Sequence, residues 1–251
     1  MELQGKVAMV TGAGRGIGAS IADALAARGA AVAVCDVDAV TAEKSAAEVA
    51  GRHGARTIGV AADISDGTAV RAAVGAVAKE LGPIDILVNN AAVDVIKSFV
   101  DSTEEEWDRI ISVNLRGTIT VTRAVLDDMI SRGSGKIIHI ASDAGRVGSS
   151  GEVVYSATKG GVIAFGKALA REVARHGITV NTVCPGPTET ALLAQVAEYS
   201  QKMHDAAIRA IPLRRAAVPA DIAEVVAFLA TDGAAYMTGQ TLSVSGGLTM
   251  Q

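Results

Sequence analysis

The sequence predicts a doubly wound α/β domain, with a seven-stranded parallel sheet in the order 3-2-1-4-5-6-7 and helices on both faces. Short apolar runs alternate with longer helical patterns along the chain, and right-handed crossovers make successive strands of such a chain parallel. Apolar residues make up 49% of the 251 residues and aromatic residues only 3%, which favours close packing of Ala, Val, Leu and Ile. We expect one domain over residues 1–251.

Each strand is predicted from a short apolar run bounded by turn residues. The predicted strands are residues 6–11, 31–35, 57–61, 84–88, 136–142, 178–183 and 240–244. The predicted helices are residues 19–28, 39–52, 66–81, 103–129, 152–175 and 219–229. The fourth helix opens with a capping box from Thr103 to Glu106. It also contains Asn114 and Gly117, which are poor residues inside a helix, and we interpret Asn114 as the place where an off-axis carbonyl holds a water.

A glycine-rich loop joins the first strand to the first helix. Gly12, Gly16 and Gly18 permit a tight turn, and they let a pyrophosphate approach the backbone N–H groups at the helix N-terminus. Arg15 and Ile17 lie in the same loop. Strand, loop and helix together predict a dinucleotide-binding site.

Asp36 ends the second strand 18 residues after Gly18, near the position where an acidic residue accepts hydrogen bonds from ribose hydroxyls. Its charge would repel a 2′-phosphate, which favours NAD over NADP. The alternative is that Asp36 or Asp38 caps the following helix. Arg15 is a conflicting sign, because a guanidinium there could face a phosphate.

Two further positions after strands are candidate cofactor contacts. Asp63, next to Ile64, is placed to hydrogen-bond an adenine edge, and the alternative is a turn residue. Asn89 and Asn90 follow the fourth strand, where their amides would tie neighbouring strand ends together beside the cofactor.

The segment from Ser142 to Lys159 carries the predicted chemistry. Tyr155 and Lys159 are four residues apart, so on a helix their Cβ atoms lie about 5 to 6 Å apart on one face. Ser142 ends the fifth strand, at the edge of the sheet where α/β proteins bind ligands. A hydroxyl, a phenol and an ammonium therefore converge.

These three groups suit the oxidation of a secondary alcohol, which needs a base within hydrogen-bonding distance of the hydroxyl. The ordinary pKa of tyrosine is about 10. One ammonium about 4 Å away, at an effective dielectric constant of about 20, contributes about 4 kcal/mol, which is enough to lower that pKa by about 3 units. We expect Lys159, helped by the positive charge of the oxidised cofactor, to lower the pKa of Tyr155 in this way, while Ser142 donates to the substrate oxygen.

The sixth strand leads into Pro185 and Gly186, and residues 188–211 then form an amphipathic segment. We predict a small helical lid there, with Gly186 as its hinge and Thr188 and Thr190 at its start. The alternative is an ordinary pair of surface helices.

Composition argues against several other functions. The net charge of −4 comes from interspersed acids and bases, so we expect neither nucleic-acid nor membrane partners. No apolar run approaches the roughly 18 residues of a spanning helix, and no leader precedes the first strand, so a cytoplasmic protein is predicted. Cys35 and Cys184 are predicted to be buried thiols. No metal site is predicted, and no histidine is suitably placed for a serine hydrolase, since His139 lies in a strand.

The glycine loop, Asn89-Asn-Ala91, Ser142, Tyr155-x-x-x-Lys159 and Pro185-Gly186 occur in this order, and together they resemble the short-chain dehydrogenase/reductase family along essentially the whole chain. The resemblance implies a Rossmann fold that binds a nicotinamide cofactor. The residues expected to contact this cofactor are Gly12, Arg15, Gly16, Ile17, Gly18, Asp36, Asp63, Ile64, Asn90, Tyr155, Lys159, Pro185, Gly186, Thr188 and Thr190. The resemblance further implies that Ser142 binds the substrate oxygen, Tyr155 exchanges its proton, Lys159 binds the nicotinamide ribose and Asn114 holds a relay water. A homotetramer that pairs through the helices near 104–129 and 152–175 is also implied.

Within that family, residues 142–152, 174–181, 184–188 and 242–250 are similar to 2-hydroxycyclohexanecarboxyl-CoA dehydrogenases. This likeness implies a small-molecule substrate of the β-hydroxyacyl-CoA thioester type. The 3-oxoacyl carrier-protein reductases and other alcohol or sugar dehydrogenases are alternatives. A non-catalytic dinucleotide sensor is the alternative from a different class.

Overall fold

Seven parallel strands form one sheet in the order β3-β2-β1-β4-β5-β6-β7 in the computed structural model, which describes residues 1–250. The strands are β1 (Val7–Thr11), β2 (Ala31–Asp36), β3 (Thr57–Ala61), β4 (Ile86–Asn89), β5 (Gly135–Ile140), β6 (Ile178–Pro185) and β7 (Thr241–Val244). The predicted α/β fold and strand order are confirmed.

In the part of the chain that the structure describes, ten α-helices connect and cover the strands. They are α1 (Gly16–Ala27), α2 (Ala39–His53), α3 (Gly67–Glu80), α4 (Glu104–Ile111), α5 (Thr118–Arg132), α6 (Ala144–Val147), α7 (Val153–Val173), α8 (Ala191–Tyr199), α9 (Gln201–Ala210) and α10 (Pro219–Ala230). Among residues 1–250, none of the helices combines the length and the apolar character needed to cross a bilayer.

The apolar core lies on both faces of the sheet, because successive side chains of a strand point in opposite directions. In β1, Ala8 and Val10 pack with α1, α2 and α10, whereas Val7 and Met9 pack with α3, α5 and α7. This double burial explains why the strands are continuous apolar runs rather than alternating ones. It leaves the carboxyl ends of the strands as the edge where polar side chains gather.

The predicted helix over residues 103–129 is interrupted. The capping box is present, with Glu106 N donating to Thr103 Oγ1 and Thr103 N donating to Glu106 Oε2. A π-helical segment, Ser112–Gly117, then separates α4 from α5. A Cβ on Gly117 would lie 2.8 Å from the side chain of Ile64. Close packing against Ile64 therefore explains why a poor helix former stands at this position.

Two other predicted boundaries differ from the structure. The first helix begins at Gly16 rather than at residue 19, so part of the glycine loop belongs to its first turn. β5 ends at Ile140, and Ser142 therefore lies two residues beyond the strand.

The amphipathic segment after β6 forms two helices, α8 and α9. Ser200 separates them, and its hydroxyl caps α9 by accepting from Met203 N at 3.3 Å. Neither helix has a buried residue, so the pair lies on the surface above the carboxyl ends of the strands.

Candidate active site

The glycine loop lies between β1 and α1 and is pressed against the chain that leaves β4. Gly12 and Gly16 have φ values of 62° and 59°, a backbone conformation that favours glycine. A Cβ on Gly12 would lie 2.7 Å from Ala91 Cα. The loop is thus a cradle of exposed backbone at a helix N-terminus, which fits a pyrophosphate.

Asn90 fixes that cradle from the next strand. Its Nδ2 donates to Thr11 O at 2.9 Å and to Gly12 O at 3.0 Å. A Cβ on Gly18 would lie 2.6 Å from this Nδ2. The predicted tie between strand ends is confirmed for Asn90, and Asn89 adds a buried bond to helix α5, donating to Thr122 Oγ1 at 2.9 Å.

Asp36 lies at the glycine loop. Its Oδ2 accepts from Gly14 N at 2.9 Å, and its Oδ1 accepts from Asp38 N at 3.3 Å. The capping alternative holds only for Asp38, which accepts from Val40 N and Thr41 N at the start of α2. Hydrogen bonds from Thr41 lower the pKa of Asp38, and the exposed guanidinium of Arg15 adds to that shift.

Asp63 makes the hydrogen bonds of a turn residue, which was the alternative predicted for it. Its Oδ1 accepts from both the backbone N and the hydroxyl of Ser65, at 2.8 and 2.7 Å. Ile64 is buried and 5% exposed, against Gly117 as described above. A contact of either residue with an adenine ring stays a prediction.

Ser142 reaches the same region as α7 because of a close backbone approach. A Cβ on Gly145 would lie 2.6 Å from the carbonyl carbon of Lys159, so only glycine lets the turn after β5 pack on that helix. Within the turn, Ser142 Oγ accepts from Ala144 N at 3.1 Å.

Tyr155 and Lys159 meet across one turn of α7, as predicted. They are 7% and 3% exposed, and Lys159 Nζ lies 5.5 Å from the centroid of the Tyr155 ring. The ammonium, however, donates to Ile140 O at 2.8 Å. Burial lowers the pKa of Lys159 to about 8, although Cys184 and Asp94 oppose that shift.

The expectation that Lys159 lowers the pKa of Tyr155 is wrong for the protein alone. Burial of the phenol raises its pKa, and the carboxyl groups of Glu152 and Asp94 raise it further, while a hydrogen bond with Ser142 acts in the opposite direction. The physical reason is that burial raises the free energy of the phenolate. Attraction to the ammonium of Lys159, which is bonded to Ile140 O, does not offset this increase.

Asn114 lies in the π-helical segment and is 1% exposed. Its Oδ1 accepts from Val93 N and its Nδ2 donates to Val93 O, both at 2.8 Å. Its backbone carbonyl accepts from Thr118 Oγ1 at 2.8 Å. The side chain therefore holds the loop that follows β4, and the relay water stays a prediction.

Beyond β6, the chain turns back toward the glycine loop. Gly186 N donates to Val244 O at 3.1 Å, and Thr188 Oγ1 donates to Gly186 O at 2.9 Å, which fixes the turn after Pro185. A Cβ on Gly16 would lie 3.7 Å from Thr190 Cγ2. An open cleft of about 460 Å³ adjoins this point, lined by residues of α8 and α9 and the turn before them.

Sequence reasoning missed two acidic residues near Tyr155. Asp94 and Glu152 line a small cavity with it, between the loop after β4 and the start of α7. Asp94 is a single acid in a coil, and Glu152 is noticeable only as a helix start, so no local pattern indicates that they meet.

The two cysteines are buried thiols, as predicted. Burial raises the pKa of Cys184 to about 11, so its thiol stays protonated at neutral pH. Among residues 1–250, no group of three or more His, Cys, Asp or Glu is arranged to hold a metal ion.

A glycine cradle, an acid at the second strand and a hydroxyl, phenol and ammonium at the adjoining edge define a nicotinamide-dependent oxidoreductase of the Rossmann type. A family model described as enoyl-(acyl carrier protein) reductase matches residues 12–249. The chain belongs to the short-chain dehydrogenase/reductase family, and it is an oxidoreductase that acts on CH–OH groups with a nicotinamide dinucleotide.

Several curated relatives match over nearly the whole chain. The chain is 41% identical to the 3-oxoacyl-[acyl-carrier-protein] reductase FabG of Vibrio cholerae and 40% identical to that of Escherichia coli, in each case over 250 residues that cover 100% of both proteins. It is also 40% identical to the oxidoreductase UcpA of Salmonella typhimurium, over 99% of this chain and 96% of that protein.

Proposed function

We propose that this protein interconverts a β-hydroxyacyl thioester and the corresponding β-ketoacyl thioester, with NAD as its cofactor. The observation that carries the proposal is the convergence of Ser142, Tyr155 and Lys159 beside the glycine cradle. The thioester class is supported by the names of the relatives that are 40–41% identical over the full chain. The 2-hydroxycyclohexanecarboxyl-CoA substrate is one member of that class, and a thioester of a carrier protein is the other form.

Each side chain has a distinct part in the proposed reaction. A nicotinamide held by these residues would supply or accept the hydride at the carbon that bears the oxygen. Ser142 donates a hydrogen bond to that oxygen, and Tyr155 gives it a proton in reduction or takes one in oxidation. Lys159 binds the nicotinamide ribose, and Asn114 holds the water through which Tyr155 recovers its proton.

The electrostatics around Tyr155 favour the reductive direction. Burial and two neighbouring carboxyl groups raise its pKa, so the phenol stays protonated at neutral pH. A protonated phenol is the state needed to donate to an oxygen that gains negative charge as the ketone is reduced.

Asp36 supports NAD over NADP. Its carboxylate accepts from Gly14 N, at the end of the glycine loop where the adenosine ribose of a bound dinucleotide would lie. A 2′-phosphate there would meet a negative charge that already has its backbone donors.

Helices α8 and α9 form the proposed lid. They bury none of their own residues and border the cleft beside Thr190, so closure over a bound acyl chain would remove apolar surface from water. Gly186 is the proposed hinge.

A homotetramer is also proposed. Ile111 of α4, Ile119 of α5 and Val153 of α7 are 43%, 40% and 49% exposed, and pairing of these helices between subunits would bury them. Sedimentation equilibrium gives the mass of the assembly directly, and a monomer at micromolar concentration would contradict this part of the proposal.

The substrate class is tested by following NADH absorbance with a panel of compounds. The panel contains 3-oxoacyl and 3-hydroxyacyl thioesters of both coenzyme A and a carrier protein, together with cyclic alcohols and sugars. We expect the highest kcat/KM for one of the thioesters. If only the plain alcohols or sugars are turned over, the substrate is one of these and not a thioester. If NADH binds but no compound is turned over, the result supports a dinucleotide sensor.

A further inference from the structure

Two carboxyl groups lie beside Tyr155 without belonging to the residues that the proposed reaction uses. Asp94 is in the loop after β4, and Glu152 is the residue before α7. Together with Tyr155 they line a cavity of about 20 Å³, which is large enough for about one water.

The Asp94 carboxyl is only half satisfied by the protein. Its Oδ1 accepts from Val95 N at 2.8 Å. Its Oδ2 is buried and accepts from no N–H or hydroxyl donor among the described residues, which disfavours the ionised form, as does its side-chain hydrogen bond with the Glu152 carboxyl. Burial first, and then the nearby carboxyl of Glu152, raise the pKa of Asp94 to about 7.

No cation balances this pair. Lys97 faces the same cavity, but its ammonium is bonded to Glu106 Oε1 at 2.6 Å. Lys159 Nζ is bonded to Ile140 O and has the smallest effect among the causes of the Asp94 shift. The Cys184 thiol stays neutral because burial raises its pKa. The two carboxyls therefore form a unit in which Asp94 holds a proton up to near neutral pH.

The charge of this unit acts on the phenol. After burial, Glu152 and Asp94 are the largest causes that raise the pKa of Tyr155. When the unit loses its shared proton, the local negative charge grows, and ionisation of the phenol becomes still less favourable.

We propose that Asp94 and Glu152 are positioning residues that act through Tyr155, an inference that rests on the proposed function. The pair shares one proton, and its negative charge keeps the phenol protonated. The protonated phenol is the state that donates to a ketone oxygen. The proton that reaches the substrate oxygen comes from Tyr155, and the pair exchanges none with the substrate. The pair thereby sets the pH range over which Tyr155 works.

The test is the pH dependence of alcohol oxidation in Asp94→Asn, Glu152→Gln and the double variant. Removing one negative charge makes phenolate easier to form, so the acid limb of the kcat profile should move to lower pH by about half a unit. The shift in the double variant should be about twice as large.

KM should change less than twofold, because neither carboxyl is proposed to bind the substrate. Glu152→Asp, which keeps the charge, should have the wild-type profile.

Matched controls remove a carboxylate elsewhere. Asp127→Asn on α5 and Glu48→Gln on α2 alter side chains that are 73% and 53% exposed, and both should keep the wild-type limb. An acid limb that stays in place in both Asp94→Asn and Glu152→Gln, or that moves to higher pH, would overturn the proposal.

A second measurement is independent of turnover, and so separates failure of this proposal from failure of the proposed function. The infrared carbonyl stretch of a protonated carboxyl should be present in the unliganded wild type and titrate near pH 7. It should be lost in Asp94→Asn, and it should titrate at lower pH in Glu152→Gln. Its absence from the wild type near pH 6 would contradict the shared proton even if every thioester is turned over.

Discussion

Asp36 and Asp94 lie at the same edge of the sheet, yet they differ in how the protein treats their charge. Asp36 is the last residue of β2, and both of its carboxyl oxygens accept from backbone N–H groups. Asp94 follows β4, has one oxygen buried without a partner and lies beside Glu152. Backbone donors hold the Asp36 carboxylate in a fixed direction, whereas the pKa of Asp94 is raised to about 7.

The same contrast extends to the neighbours of each residue. Beside the glycine loop, Asn90 uses its amide to bind two carbonyls of the adjoining strand end. Beside Asp94, the phenol of Tyr155 is buried and its pKa is raised. The region proposed to bind the dinucleotide is thus preformed by hydrogen bonds, whereas the region proposed for chemistry has polar groups whose protonation responds to charge.

The largest expected effect concerns the preformed region. Gly18→Ala would place a methyl group against Gly12 O and 2.6 Å from Asn90 Nδ2. We expect the free energy of unfolding to fall by about 3 kcal/mol and NADH affinity to be lost, as measured by thermal unfolding and NADH fluorescence.

Gly75→Ala on α3 is the matched control, because a Cβ there meets nothing within 4 Å. It should be neutral or stabilise by up to about 1 kcal/mol through helix propensity. Wild-type NADH binding by Gly18→Ala would show that the loop does not need the observed packing.

A smaller effect is expected from Asn114→Ala, which tests what holds the loop carrying Asp94. The substitution leaves the partly buried N–H and carbonyl of Val93 without their present partner, and it should lower the free energy of unfolding in urea by about 1 to 2 kcal/mol. Ser131→Ala, on the exposed surface of α5, should cost less than about 0.5 kcal/mol. Equal midpoints for the two variants would mean that the side chain of Asn114 contributes nothing to the loop.

The smallest effect is expected for Asp36→Asn, which removes the charge of the satisfied carboxylate. The ratio of kcat/KM with NAD to that with NADP should fall about tenfold, equivalent to about 1.4 kcal/mol. Asp38→Asn is the matched control: it alters the cap of α2 and should leave this ratio unchanged. An equal ratio in wild type and Asp36→Asn would remove Asp36 from cofactor selection.

Local sequence patterns predicted the parts of the molecule that depend on neighbouring residues. The strands follow from apolar runs, the capping box at Thr103 from its spacing, and the approach of Tyr155 and Lys159 from one helical turn. The crossover rule indicates that the strands are parallel, and their order is that of a Rossmann fold, which the resemblance to the family implies.

Features that depend on tertiary packing could not be predicted. The π-helical segment forms where Asn114 bonds the loop after β4, a contact between distant parts of the chain. The pKa of Tyr155 is raised rather than lowered in the protein alone, because helical spacing gives the distance to Lys159 but not the burial of the phenol or the bond from Lys159 Nζ to Ile140 O. The approach of Asp94 to Glu152 likewise depends on tertiary packing between distant parts of the chain.

The most direct test of the central claim is Tyr155→Phe, with turnover and NADH binding measured in the same sample. Because the variant keeps the ring and loses only the group that exchanges the proton, kcat should fall by about 10³-fold or more, while the Kd for NADH should stay within about twofold of the wild type. A variant that binds NADH and still turns over substrate within tenfold of the wild-type rate would contradict the claim.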